Sequence, residues 1–162
     1  MQTKKLYSME VLIPAIISFF DEDKKVIITA VGNSMRPLIR HKKDGIILEK
    51  YTGQSLCIGD MIFYRRKCGR YVLHRIMDID SNNNFTMLGD NQIITETGIN
   101  RDQIVAIPIA IIRGKKTISV SSKFYKLYTR IYVKSAFLRI LHIKLFAYKN
   151  KLYRAIKKIF NK

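Results

Sequence analysis

The stretch GDMIFYRRKCGRYVLHRIMDI, residues 59–79, decides the fold. Two short apolar runs, Met61–Tyr64 and Tyr71–Ile79, flank Lys67-Cys68-Gly69, a turn sequence. Runs of this length rich in β-branched and aromatic residues, joined by a glycine-containing turn, predict a β-hairpin. In its second arm, a period of two puts Val72, His74 and Ile76 on one face, so the histidine is at least partly buried. Gly59-Asp60 leads into the hairpin, as Asp44-Gly45 leads into Ile46-Ile47-Leu48. Val26–Val31 is another β-branched run, and Ser81–Asn84 is an Asn-rich turn before Phe85–Leu88. Gln103–Ile112 is apolar but carries Pro108, which predicts an edge or bulged strand. Thr117–Val120 closes the series. Short strands with frequent turns predict a mainly β chain, a meander or small barrel-like body.

Helical patterns lie only at the two ends. Val11 to Phe20 predicts a short N-terminal helix, with Ser8 as N-cap and Pro14 disturbing its first turns. Ten residues are too few to span a bilayer, where about 20 are needed. Asp21, Glu22 and Asp23 follow in place of a small-residue cleavage site, so the run does not read as a signal peptide. From about Ser122 the period changes. Lys123, Lys126, Arg130 and Lys134 recur at three- and four-residue steps, which places them on one helical face. The pattern predicts two basic amphipathic helices, interrupted near Asn150. The expected organisation is a β domain over 1–121 with a helical tail over 122–162.

Charge follows the same division. The 162 residues carry a net charge of +18. Residues 1–112 hold 15 Lys/Arg against 12 Asp/Glu, whereas residues 113–162 hold 15 Lys/Arg and no acid. A nearly neutral body thus precedes a strongly basic tail, which points to an anionic partner for the tail. An anionic membrane surface fits a basic amphipathic helix, with Lys123, Lys126, Arg130 and Lys134 as candidate contacts. Interleaved tyrosines also suit nucleic acid, but the many apolar residues favour lipid or core. With no export signal or spanning segment in view, the expected location is the cytoplasmic side, peripherally membrane-associated. At 48%, the hydrophobic content is sufficient for a core. Cys57 and Cys68 match no zinc spacing, and no metal site is expected.

One segment is unlike the rest. VGNSMRPLI, residues 31–39, follows a strand with Gly32, Asn33 and Ser34, and places Pro37 three residues beyond the serine. A serine on a sharp turn is either a surface residue or a nucleophile that needs a base. Three histidines are available. His41 sits in the charged run Arg40-His41-Lys42-Lys43 and reads as a solvated loop residue, and His142 lies in the tail. His74, in its half-buried strand, suits a general base, although a lone strand histidine is equally a satisfied core residue. Two acids follow that would orient an imidazole: Asp90 in LGDN and Glu96.

G-x-S-M-x-P at 32–37, L-H-R-I at 73–76 and L-G-D-N at 88–91, in that order, resemble the type I signal peptidase superfamily, which includes the self-cleaving domains of LexA-like repressors. The closer likeness is to the Ser–His branch of archaea and the endoplasmic reticulum, and it covers roughly residues 24–115. The resemblance implies a serine endopeptidase acting on signal, leader or precursor peptides, without metal or cofactor. It implies Ser34 as nucleophile, His74 as base, and Asp90, ahead of Glu96, as the supporting acid. Backbone N–H groups around Ser34 would meet the oxyanion, with no hydroxyl to help at Gly32. Gly32, Asn33 and Pro37 would shape the turn, and Met35 would pack beneath it and line the cleft. Substrates would be extended peptides or preproteins with small residues before the cut, bound alongside a strand. The alternative is a non-catalytic membrane- or nucleic-acid-binding module that retains a peptidase fold. A repressor is disfavoured, because only about 25 residues precede the first strand and the base is not lysine.

Overall fold

The computed structural model describes residues 7–160. Helix α1 (Met9–Asp21) is followed by strands β1 (Val26–Thr29), β2 (Asp44–Lys50), β3 (Met61–Arg65), β4 (Tyr71–Ile79), β5 (Phe85–Leu88) and β6 (Glu96–Ile99). A short 3₁₀ turn (Arg101–Gln103), β7 (Ile104–Arg113), β8 (Lys116–Ser119), α2 (Lys123–Lys134) and α3 (Ala136–Phe160) complete the chain. The chain is mainly β. All strand pairs are antiparallel, in the order β1-β2-β7-β3-β4-β5-β6 with β8 on β7, and the sheet does not close.

From β3 to β6 the chain is a simple meander, but β7 returns to lie between β2 and β3. Of the two settings expected for Pro108, an edge or a bulge, the strand takes the bulge, for β7 is central. Its bulge is present, since the β2–β7 register slips between Ile47 and Leu48, opposite Ala110 and Pro108. A slip there spares the sheet a hydrogen bond that proline cannot donate.

The unbroken apolar run of β3 has a direct cause. Met61 and Phe63 enter one apolar cluster with Ile13, Phe20, Met35, Leu48 and Ile111. Ile62 and Tyr64 enter a second with Ile76, Phe85, Met87 and Ile99. A strand covered on both faces must be apolar at every position. Pro14 lies within α1 without ending it, and Ser8 is the N-cap but makes no side-chain cap bond. The expected break at Asn150 is also corrected: α3 runs through that residue, and the helices part instead at Ser135, whose Oγ accepts from the Leu138 N–H at 3.2 Å. A serine in the N-cap position satisfies an otherwise orphaned amide of the next helix. Nor is the basic tail a detached coat. Tyr125 of α2 is buried in the first cluster, and Tyr128 packs against it.

Two features of the sheet position the site. Among the described residues, strand β1 pairs only with β2, and the first half of β4, Tyr71–His74, pairs only with β3, because β5 ends at Leu88, opposite Arg75. Both therefore present open edges. The turn containing Ser34 is anchored behind by Asp44, a buried carboxylate at the start of β2. Arg40 donates to it through its backbone N–H (2.9 Å), Nε (3.0 Å) and Nη2 (2.8 Å), and Arg113 of β7 donates through Nη2 (2.8 Å). Burial alone would raise the Asp44 pKa, but these donors outweigh it and bring it down to about 2.

Candidate active site

Ser34 lies on the turn that follows β1. Gly32 holds φ +109°, a region that favours glycine, and its N–H donates to His41 Nδ1 at 2.8 Å. His41 is thus a half-buried support of the turn and not the free loop residue expected. The Met35 carbonyl accepts from the Ile39 N–H at 2.9 Å, and the Met35 side chain is buried beneath the turn. Asn33 and Pro37 are exposed on its outer side. Among the described residues, the N–H groups of Ser34 and Met35 donate to no backbone acceptor, whereas the next amide, Arg36, is bonded to Asn33. Two adjacent free amides at a serine have the character of an oxyanion site.

The LGDN stretch is laid directly against this serine. The Asn91 N–H donates to the Ser34 carbonyl at 2.7 Å. A Cβ placed on Gly89 would lie 2.7 Å from that carbonyl oxygen, 3.0 Å from the Ser34 Cβ and 2.6 Å from Gln92 Oε1. Glycine is required at 89 because Ser34 and Gln92 occupy the space of its side chain. The geometry also fixes the side of the sheet. Arg75 pairs with Leu88 and Ile76 with Met87, so continuing the register sets His74 opposite Gly89. Directly opposed residues of an antiparallel pair project to the same face, with Cβ atoms roughly 5 Å apart. Ser34 therefore approaches the sheet on the face that carries the His74 ring. No hydrogen bond joins the two side chains among the described residues. Gly89→Ala should displace Ser34, lowering any activity that depends on it roughly 10²-fold. Circular dichroism and urea titration should report an intact fold that has lost about 1–3 kcal/mol.

His74 is 3% exposed. Burial, and then the charge of Arg66, push its pKa down to about 4, against the opposite pull of Glu96 and Asp90. The ring is therefore neutral at neutral pH. Its Nδ1 lies 3.3 Å from the hydroxyl of Tyr64, which is itself fully buried. That hydroxyl donates to Glu96 Oε2 at 2.8 Å, and Arg66 binds the same oxygen through Nε at 2.8 Å. Burial and Glu96 both raise the Tyr64 pKa, so the phenol stays protonated.

A carboxylate only accepts, so the Tyr64 proton points to Glu96 and the phenol oxygen is left to accept from the ring. This places the imidazole proton on Nδ1 and leaves Nε2 with its lone pair. Of the two candidate acids, Glu96 therefore addresses His74, and it does so through Tyr64. Asp90 makes no hydrogen bond to His74. Its Oδ1 and Oδ2 accept from Arg75 Nε (2.8 Å) and Nη2 (2.9 Å), and Oδ2 also accepts from the Tyr128 hydroxyl (3.1 Å). Arg75 Nη1 continues to the Gly59 carbonyl (2.6 Å), Tyr125 (3.3 Å) and Thr129 (3.0 Å). Asp90 thus braces the loop beneath Ser34 and ties it to α2.

A groove of about 500 Å³ opens in front of Ser34 between the two open edges, lined by 28–32, Met35, Phe63 and 71–73. A second cavity, of about 390 Å³, holds His74 with Arg66, Gln92, Ile94 and Glu96. The four basic residues expected at a membrane surface, Lys123, Lys126, Arg130 and Lys134, are all exposed on α2. Among the described residues no helix is long and apolar enough to cross a membrane, and no three metal-ligating side chains converge. The residues missed from sequence are Tyr64, Arg66 and Arg75. No protein-family model matches the chain and no curated protein matches it, so the geometry around Ser34 and His74 carries the functional reading.

Proposed function

We propose that the chain is a serine endopeptidase that cuts signal, leader or precursor peptides. Ser34 is its nucleophile, His74 its base, and Glu96 the supporting acid, acting through Tyr64. What supports the reading is the packing of Ser34 against Gly89, the residue that the extended register sets opposite His74, a buried and neutral imidazole. Ser34 Oγ adds to the scissile carbonyl as its proton passes to His74 Nε2, and the Ser34 and Met35 amides take the oxyanion. The C–N bond then breaks as Nε2 returns that proton to the leaving amine. Water repeats the sequence and releases the acid, restoring Ser34.

The open edges support an extended substrate. Ala30 turns its N–H and C=O towards β2, bonding to Asp44 and Lys42, so Thr29 and Val31 face the groove. On β4, Arg70 and Ile76 turn towards β3 and its flanking residues, so Tyr71 and Leu73 face outwards. A peptide strand between these edges would complete both ladders and run past Ser34. The test is an extended-peptide mixture incubated with the protein and read by mass spectrometry. Ser34→Ala should abolish every cleavage while retaining the circular dichroism of the parent. Products formed at the parental rate would sink the assignment. The missing Ser34–His74 hydrogen bond favours a second reading, a binding module on a peptidase fold, which predicts peptide binding without products in both proteins.

A further inference from the structure

Helix α3 has two unlike faces. Its inner face is committed. Arg139 donates to the Tyr132 carbonyl at 3.0 Å, the His142 ring lies 6.4 Å from those of Tyr132 and Phe146, and the Arg36 guanidinium sits 4.9 Å over Phe146. A second face carries Phe137, Leu141, Leu145, Tyr148, Leu152 and Ile156, all exposed. They follow one another by four, four, three, four and four residues, which at 3.6 residues per turn makes one continuous stripe roughly 28 Å long. Lys144 and Lys151 flank it on one side and Lys149 on the other, all exposed. A water-facing helix has no reason to expose Phe137 by 74% and Tyr148 by 68% along a single line.

We propose that this outer face of α3 binds an anionic lipid leaflet, lying in the plane of the interface. The chemistry selects the occupant. Residues 113–162 contain 15 Lys/Arg and no acid, so a second copy of the chain would bring like charge to the same face. Nucleic acid would satisfy the lysines but leave the aliphatic stripe in water. A lipid interface takes both, with the stripe among the acyl chains and the flanking lysines reaching back to the phosphates. Because Arg36 stacks on Phe146, a bound α3 would hold the Ser34 turn beside the membrane. This inference does not depend on the peptidase reading.

The chain contains no tryptophan, so Tyr148→Trp supplies a single fluorescent reporter in it. Its emission should shift to the blue with phosphatidylcholine–phosphatidylglycerol vesicles and scarcely with phosphatidylcholine alone. Leu145→Gln together with Leu152→Gln, both at exposed positions and without charge change, should weaken co-sedimentation with the anionic vesicles tenfold or more. Unshifted emission, or sedimentation that ignores the two glutamines, would overturn the proposal. So would binding to an oligonucleotide duplex that the glutamines abolish, or a vesicle-free dimer that they dissociate. These outcomes assign the face to nucleic acid and to self-association, respectively.

Discussion

His74→Ala is expected to lower peptide cleavage by 10³-fold or more, and Tyr64→Phe by roughly 10²- to 10⁴-fold in kcat with KM little changed. The two losses have different origins. Alanine removes the proposed base altogether. Phenylalanine keeps the ring and its packing but removes the oxygen that bonds Nδ1 among the described residues, and with it the link to Glu96. The imidazole proton then distributes between the two nitrogens, and the fraction with a bare Nε2 falls. Imidazole ¹⁵N shifts give a readout independent of catalysis: Nδ1–H in the parent and a mixture in Tyr64→Phe. A parent ring protonated at Nε2 would refute the assignment of the tautomer whatever the cleavage rates.

The same histidine sets a pH signature. Its folded pKa is lowered to about 4 from the ordinary 6.5, mainly by burial. Between these values the unfolded chain takes up a proton that the folded chain refuses, so stability falls as pH drops through this window and levels off below it. Urea midpoints measured from pH 7 to pH 4 should therefore decline, and His74→Gln should flatten the decline. Cleavage should hold over most of this range and fail only near pH 4, where the base is protonated.

The second large effect concerns the fold. Arg75→Ala should destabilise the protein by about 3–5 kcal/mol, the cost of leaving a buried carboxylate unpaired. Arg75 and Asp90 are 1% and 3% exposed, joined by two hydrogen bonds and roofed by Tyr125, Tyr128 and Thr129 of α2. Replacing both, as Arg75→Met with Asp90→Leu, removes charge and partner together and should recover most of that loss. Urea denaturation of the two single variants and the double variant closes the cycle. A single-variant loss below about 1 kcal/mol would show that water reaches the pair. Cutting the chain near Ser121 would strip the roof from the same ion pair. Charge-reversing substitutions on α2 and α3 are therefore the cleaner way to remove the basic surface.

What could be read from the sequence depended on how far apart the interacting residues lie. The hairpin at 61–79, the glycine turn before Ser34 and the burial of His74 follow from local periodicity, and each is present. Tyr64 was hidden because it reads as one more aromatic in an apolar run. Its partners are 10 and 32 residues away. The signal was nonetheless available: the hairpin register pairs Ile62 with His74, which puts Tyr64 on the same face one step along. The resemblance put Asp90 ahead of Glu96, and the hydrogen bonds reverse that order. Both follow the strand closely, and only the position of Arg75, the residue after His74, takes Asp90 out of reach. Strand β6, Glu96–Ile99, escaped notice because it is four residues long and buries only Ile99, with no apolar alternation to mark it.

The unpaired flanks of β1 and β4 have one more consequence. A row of unmet amides and carbonyls does not distinguish a peptide from a neighbouring molecule, and such margins invite edge-to-edge polymerisation. Mutual repulsion at +18 opposes this in dilute buffer. As added salt screens that repulsion, solutions of the protein should grow turbid, and an occupied groove should keep them clear.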